Sequence, residues 1–308
     1  KHSKYSKIER GDMKTDGGAE GARQLEELCI RDFSLKERTA FGVGGKAAYA
    51  CFPENAAELT AVLSAAAREN LPCAVLGCAS NVVVSDKGFC GVAAFTSKMN
   101  AVSRKGDTVV AECGVKTARL LEFCRLNDLS GAEFLCGIPA TVGGMLAMNA
   151  GAFGGEIGGI VRSVTALCEG KTVRLSPEEC AFGYRTSAFG ENLVGLSAEF
   201  ALKTGFDAAL TEKITRARRE KQPAGKTFGS TFRNGENYFA GELIERAGLK
   251  GFSVGGAQVS EKHANFIVNR GDATARDVRR LIAEIRERVY RQFGVTLTEE
   301  VRFLGDFK

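Results

Sequence analysis

Only two histidines, His2 and His263, occur in the 308 residues, so a histidine-rich metal centre is excluded. Cysteine is not scarce, but its framework patterns are missing. The ten are scattered (29, 51, 73, 78, 90, 113, 124, 136, 168 and 180), with no C-x-x-C pair and none after Cys180. Most lie in apolar runs, which fits free buried thiols in a reducing cytoplasm better than a disulfide framework or a zinc site. No apolar run reaches the ~18 residues that span a bilayer. The stretch from Ala56 to Ala67, around Leu59, Val62 and Leu63, is interrupted by polar residues. The first twenty residues are polar and basic and lack the apolar segment of a secretory signal, so residues 1–25 read as a tail. Walker A, zinc and EF-hand patterns, internal repeats and low-complexity tracts are absent.

The composition is that of an ordinary soluble globular chain, 44% hydrophobic and 26% charged, long enough for two or three domains. Its net charge of +5 is compatible with nucleic acid and equally with small anionic substrates. Three units are expected. In the first, residues 26–97, a helix opens after Pro53 with Leu59, Val62, Leu63 and Ala66 at helical spacing, and short strands follow at Ala74–Leu76 and Val82–Val84. The second, residues 98–212, has strands at Asp107–Cys113, Ser163–Leu167 and Leu193–Leu202, with a helix around Leu120 and Cys124. Between them, Gly131 to Gly159 is rich in glycine and shows no period, which marks a functional irregular stretch whose backbone needs other partners. The third unit, residues 213–308, opens with a charged, solvated helix near Ile214 to Lys226 that serves as a hinge. It ends in the clearest element of the chain. Thr274 caps this helix, Val278, Leu281, Ile282, Ile285, Val289 and Phe293 form one face, and Gly294 stops it.

Two short motifs fail on context. Gly42-Val43-Gly44-Gly45-Lys46-Ala47 fits a loose dinucleotide pattern but is followed by an extended segment, not the helix a Rossmann loop needs. Gly251-Phe252-Ser253-Val254-Gly255 has hydrolase-elbow spacing, but a helical segment precedes it and the only available histidine, His263, lies ten residues on. Two other loops carry more. Leu76-Gly77-Cys78-Ala79-Ser80-Asn81 follows a strand, and its backbone N–H groups suit an anion nest for a pyrophosphate. Gly137-Ile138-Pro139-Ala140-Thr141-Val142-Gly143-Gly144 has the same character. With Asn149-Ala150-Gly151-Ala152, they suggest a cleft for an extended dinucleotide.

Taken in order, RTAFGVGGKA (38–47), LGCASNVVVSDKGFCG (76–91), GAEFLCGIPATVGGMLAMNAGAFGGEI (131–157), FGYRTSAF (182–189), GSTFRN (229–234), AGELIERAGLKG (240–251), KHANFIVN (262–269) and EEVRF (299–303) resemble the UDP-N-acetylenolpyruvoylglucosamine reductases of bacterial cell-wall precursor synthesis, in their shorter type without the extra tyrosine loop. The resemblance covers about residues 26 to 305. It implies an α+β flavoprotein with two α/β FAD-binding lobes of the vanillyl-alcohol-oxidase-like type and a C-terminal α/β substrate domain. By the same resemblance, noncovalent FAD is held by Gly42, Val43, Gly44 and Gly45, by Leu76, Gly77, Cys78, Ala79, Ser80 and Asn81, by Pro139, Ala140, Thr141, Val142, Gly143 and Gly144, by Asn149, Ala150 and Gly151, and by Arg302. NADPH reduces the flavin, and the enolpyruvyl nucleotide then enters the same cleft. A cytoplasmic enzyme is implied, with no nucleic acid, membrane or obligatory protein partner.

The resemblance places Arg185, Ser230 and Glu300 at the family's catalytic positions. Their chemistry suits the reaction. Hydride addition to an enolpyruvyl double bond drives negative charge into the neighbouring carboxylate, and the permanently charged fork of Arg185 can bind that group bidentately. Glu300 must be either protonated or paired with a cation such as Arg302. Ser230 would protonate the second carbon, although a serine there could also simply satisfy a turn. Tyr184, Arg233, Asn234, Gln258 and His263 are expected nucleotide or substrate contacts, with His263 equally readable as structural. The sequence departs from the family at Cys78, Ala79 and Ala140, where glycine is common, and at Gly235, where proline is common. Side chains at 78 and 79 are expected to resist positive φ and crowd a pyrophosphate. Two rivals stand beside this assignment: a flavin or nucleotide oxidoreductase of the same fold with another substrate, and an RNA-binding protein using the basic segment 213–226. Glu212, Glu220 and the lack of an aromatic before Phe228 count against the latter.

Overall fold

The computed structural model describes residues 18–106, 108–190 and 193–307. Within it the chain forms two compact units. The first takes its described residues from the segments up to 31, 49–77 and 91–214, and the second from 32–48, 78–90 and 215 onward. Segments 32–48 and 78–90, expected in the first lobe, thus belong with the C-terminal residues. The remainder of both expected lobes shares one unit.

In the first unit, helix α1 (Gly18–Leu28) packs on α2 (Ala56–Arg68), with Arg68 hydrogen-bonded to Gln24. Residues 18–25 are therefore helical where a tail was expected, and residues 1–17 lie outside the described residues. α2 starts at Asn55, whose side chain accepts from Glu58 N at 2.9 Å, and it buries Leu59, Val62, Ala65 and Ala66. The strand Cys73–Leu76 runs parallel to Phe89–Phe95, pairing Leu76 with Phe95.

A five-stranded antiparallel sheet follows, in the spatial order 171–175, 161–168, 193–201, 108–112, 102–105. The spacing predicts inward alternation of Val194, Leu196, Ala198, Phe200 and Leu202; Leu196, Ala198 and Phe200 are buried as expected, but Leu193 and Gly195 face in where Val194 was expected, and Leu202 lies past the strand end. A register shift between Thr165 and Ala166, opposite this point, inserts one residue and reverses the faces. α3 (Thr117–Leu126) and α4 (Val142–Met148) share a core with this sheet, burying Leu120, Cys124, Met145 and Leu146 with Val164, Ala166 and Phe200. Each such large side chain contributes roughly 1.5–3 kcal/mol. Burial pushes the Cys113 and Cys124 thiols up to about 12, so these two are poor nucleophiles.

Among the described residues the glycine-rich stretch is less irregular than its composition suggests. It contains α4, a 3-10 turn at Ile157–Gly159 and a hairpin pairing Gly151–Ala152 with Gly155–Glu156. α5 (Ala208–Lys221) starts earlier than its charge pattern indicates, because the Asp207 carboxylate accepts from Leu210 N at 2.8 Å. Only Ile214 of this helix is buried, as a solvated helix requires.

The second unit holds the antiparallel sheet ordered 227–230, 266–269, 257–259, 253–254, with α6 (Ala240–Arg246) and α7 (Ala275–Phe293) sharing its core. α7 follows its sequence closely. Thr274 and Asp277 form a reciprocal capping box, and Gly294 takes φ 68° at the end. The Asp86 carboxylate accepts from Ala275 N at 2.8 Å and Arg276 N at 3.0 Å, satisfying two more orphan donors and placing an anion at the helix start. Phe41, Val43 and Val83 join Val278, Leu281 and Ile285 in this core, and Val82–Val84 pairs in parallel with Arg302–Leu304. Ser253 lies on a two-residue strand that leads into a hairpin with 257–259, so no strand-to-helix nucleophile elbow exists there. No helix is long and apolar enough to cross a membrane among the described residues, and no three of His, Cys, Asp and Glu gather there as metal ligands.

Candidate active site

In the first unit the two glycine loops approach each other closely. A Cβ added to Gly77 would lie 2.0 Å from Thr141 Oγ1, so only glycine permits this contact. Thr141, itself buried, caps α4 by accepting from Gly144 N at 3.4 Å. The neighbouring amides are also committed to protein acceptors: Ala140 N to Ile138 O, Val142 N to Val115 O and Gly143 N to Cys113 O. Around Thr141 the loop therefore does not offer the anion nest expected of it, because the amides of Ala140, Val142, Gly143 and Gly144 are spent on the fold. Leu76 is buried, while Pro139 is exposed.

α4 ends in a Schellman arrangement, with Asn149 left-handed at φ 40° and Ala150 N donating to Met145 O at 2.9 Å. The hairpin after it turns through Phe153 and Gly154, both at positive φ, and Phe153 is exposed. Residues 183–186 form a second tight turn, in which Gly183 N donates to Thr186 O and Thr186 N to Gly183 O. Arg185 occupies the third position of this turn at φ 56°, a conformation costly for a residue with a Cβ. Its Nη2 donates to Gly151 O at 2.9 Å, and its guanidinium lies 5.2 Å from the ring centre of the exposed Tyr184. Arg185, Tyr184 and the 149–151 loop, singled out separately in the sequence, are thus neighbours.

In the second unit, Gly44 and Gly45 are required by packing. A Cβ on Gly44, at φ 116°, would fall 2.6 Å from Val84 Cβ, and one on Gly45 would fall 2.6 Å from Asp86 O. Val43 is buried in the core, and Gly42 turns the chain at φ 75°. The 78–81 loop is tied to the C-terminal motif: Asn81 Nδ2 donates to Glu300 O at 3.1 Å, and Arg302 N donates to Asn81 O at 3.0 Å. Ala79 adopts φ 44° despite its side chain, contrary to the expectation that residue 79 would resist positive φ. Cys78 and Ser80 flank it half-buried. Gly235 also compensates for its departure from the family pattern. Its N–H donates to Tyr238 O at 3.1 Å, a bond proline cannot make, and Tyr238 fills the space beside it.

Ser230 ends the strand Thr227–Ser230 after a register shift and Gly229 at φ 83°, a bulge that re-aims the hydroxyl-bearing residue. Glu300 N donates to Thr231 O at 2.8 Å, so the Ser230 and Glu300 segments are bonded neighbours in this unit. Arg185 belongs to the other unit. The Arg233 Nε and Thr231 Oγ1 atoms are buried with no hydrogen-bond partner in the protein. Other candidates are more occupied. Gln258 uses both polar ends on Gly251 O and Arg270, and Asn234 Oδ1 accepts from Ala240 N at 3.0 Å. His263 Nδ1 accepts from Asn265 N at 3.2 Å, its ring packs 4.7 Å from that of Phe266, and burial holds its pKa below the ordinary value. These contacts give His263 a structural role. Asn265 went unnoticed in the sequence, although a polar side chain inside the apolar run AxFIV offered a signal.

Comparison with known proteins agrees over most of the chain. Residues 221–304 match the model for the C-terminal domain of UDP-N-acetylenolpyruvoylglucosamine reductase, and residues 47–176 match an FAD binding domain. UDP-N-acetylenolpyruvoylglucosamine reductase from Streptococcus pneumoniae (strain Hungary19A-6) is 44% identical over 272 residues, covering 86% of this chain and 90% of that protein. The enzyme from strain JJA is equally similar, at 44% over 272 residues. The crystal structure of UDP-N-acetylenolpyruvylglucosamine reductase from Thermus caldophilus superposes with a TM-score of 0.76 at 32% identity, over 90% of this chain and 98% of that one. With identity and fold agreeing over nearly the whole chain, this protein belongs to the UDP-N-acetylenolpyruvoylglucosamine reductase family.

Proposed function

We propose that the chain reduces the enolpyruvyl double bond of UDP-N-acetylenolpyruvoylglucosamine to UDP-N-acetylmuramate, with NADPH as reductant and noncovalent FAD as carrier, in the cytoplasmic synthesis of peptidoglycan precursor. The observation that carries this is Arg185. A guanidinium kept in a strained left-handed turn, beside the glycine hairpin of the unit that matches an FAD binding domain, is the group an enolpyruvyl carboxylate requires.

The residues present fit a flavin dinucleotide. Ala79 takes the left-handed conformation that an anion nest requires of one of its residues, and Gly77 allows the close approach of Thr141. Leu76 to Asn81, with Gly42 to Gly45, Ala150, Gly151 and Arg302, would hold the group, and Pro139 to Gly144 would line it without the amides of Ala140, Val142, Gly143 and Gly144, while the Asn149 side chain is spent on the protein. When bound, FAD would supply a two-electron hydride carrier between NADPH and the enolpyruvyl double bond.

Arg185 binds the substrate carboxylate and neutralises charge that develops there. Ser230 donates its hydroxyl proton to the second carbon and recovers one from water. Glu300, tied through its carbonyl to Asn81, stabilises the same enolate as a protonated donor or through a cation. Arg233, with its orphaned Nε, binds a phosphate or the sugar of the nucleotide.

The test is an anaerobic absorbance spectrum of the purified protein. The visible flavin band is expected to bleach with NADPH and to return when the enolpyruvyl nucleotide is added. A flavin that bleaches but is not reoxidised by that nucleotide would assign the fold to another substrate.

A further inference from the structure

Asn149 was expected to touch the cofactor, yet its side chain faces the protein. It is fully buried, and both ends of its amide are used: Nδ2 donates to Gly183 O at 3.0 Å, while Oδ1 accepts from Gly158 N at 2.9 Å. Three backbone segments thereby meet at one side chain: the end of α4, the turn at 157–159 and the turn at 183–186. The last of these carries Arg185. A second link between the same segments is the bond from Arg185 Nη2 to Gly151 O, two residues from Asn149.

We propose that Asn149 is a positioning residue for Arg185. Gly183 O also accepts from Thr186 N at 3.2 Å, and the amide hydrogen bond from Asn149 supplies a further partner to this carbonyl, clamping the base of the turn on which Arg185 sits. The site makes two demands of residue 149. Its φ of 40° is tolerated best by glycine and asparagine, and its two backbone partners require one donor and one acceptor on the same short side chain. Glycine meets only the first demand. Aspartate meets the first and half of the second, but sets an oxygen against Gly183 O in place of the donor. Asparagine alone meets both. A fixed turn matters because a guanidinium that must receive a planar carboxylate loses affinity steeply when it is misplaced by about 1 Å.

This inference rests on the reading of Arg185 as the carboxylate-binding group, and the experiment separates the two. Affinity for the enolpyruvyl nucleotide is measured by calorimetry on the oxidised, FAD-loaded full chain, together with KM and kcat, for Asn149→Gly, Asn149→Asp, Arg185→Ala and both double variants. Each Asn149 substitution is expected to weaken binding about tenfold when Arg185 is present. In the Arg185→Ala background the same substitutions are expected to change it less than about twofold, because the group they position is gone. Equal losses in both backgrounds would show that Asn149 acts on the fold generally and would overturn the proposal while leaving the role of Arg185 intact. Wild-type affinity and turnover in Arg185→Ala would overturn both. If neither Asn149 variant yields folded, flavin-loaded protein, the clamp is a requirement of the fold and the positioning role is rejected.

Discussion

Asn265 engages both backbone polar groups of Phe232: its Nδ2 donates to Phe232 O at 2.8 Å and its Oδ1 accepts from Phe232 N at 2.9 Å. Its own carbonyl accepts from Thr231 N, and its N–H donates to His263 Nδ1. The segment bearing Ser230 is therefore laced to the 263–266 turn by one buried side chain. Removing it strands a donor and an acceptor, each costing about 1–3 kcal/mol. Asn265→Ala is expected to lose about 2–4 kcal/mol of stability in denaturant unfolding. A change under about 0.5 kcal/mol would mean that water replaces both bonds.

Ser230→Ala separates the two halves of the proposed reaction. Flavin reduction by NADPH is expected to proceed close to the wild-type rate, while reoxidation by the enolpyruvyl nucleotide slows by about 10²–10⁴-fold, the usual scale for loss of a proton donor. Stopped-flow absorbance resolves both steps. Equal slowing of the two would assign Ser230 to the turn and not to proton transfer.

At Ala79 the chain holds a Cβ at φ 44°, which costs about 1–2 kcal/mol. Glycine relieves this but adds about 0.4–1 kcal/mol of unfolded-state entropy. The balance favours Ala79→Gly by a few tenths of a kcal/mol up to about 1.5. A raised thermal midpoint, with FAD retained through desalting, is the expected result, and a lowered midpoint would show that the Ala79 methyl has a packing role worth more than the strain.

His263 is held neutral by burial, with the nearby Lys250 charge acting in the same direction. Because its folded pKa lies below the unfolded value of 6.5, its contribution is fully present above about pH 6.5 and is lost as pH falls from there through the lowered folded value. Wild-type stability is expected to fall between about pH 7.5 and pH 5, and His263→Gln to flatten that part of the curve. Parallel curves for the two proteins would remove His263 as the titrating group.

The elements that were legible in the sequence are those whose signals are local. α7 carries its cap, its apolar face and its terminating glycine within twenty-one residues, from Thr274 to Gly294, and forms as written. α4 was hidden because Gly143 and Gly144 depress helix propensity where Val142, Met145 and Leu146 supply an apolar stripe, and packing decides the outcome. The proposed catalytic positions rest on motif resemblance, and the side chains that hold their segments in place carried no such signal. Asn149 meets Gly183 across 34 residues, Asn265 meets Phe232 across 33, and Asn81 meets Glu300 across 219. Such partnerships are written in the topology, and no period or spacing announces them.

The second unit is stitched from three stretches of chain that are far apart along the polypeptide. Its core needs Phe41, Val43 and Val83, and one of its strand pairs joins Val82–Val84 to Arg302–Leu304. During synthesis the early pieces must therefore wait, unpaired, until the last hundred residues emerge. Their closure spans more than two hundred positions, as between Asn81 and Glu300, which makes this unit the slow partner in folding. An excised fragment beginning near residue 215 would lack three core side chains and one strand, and chaperone dependence in the cell should fall on this assembly step.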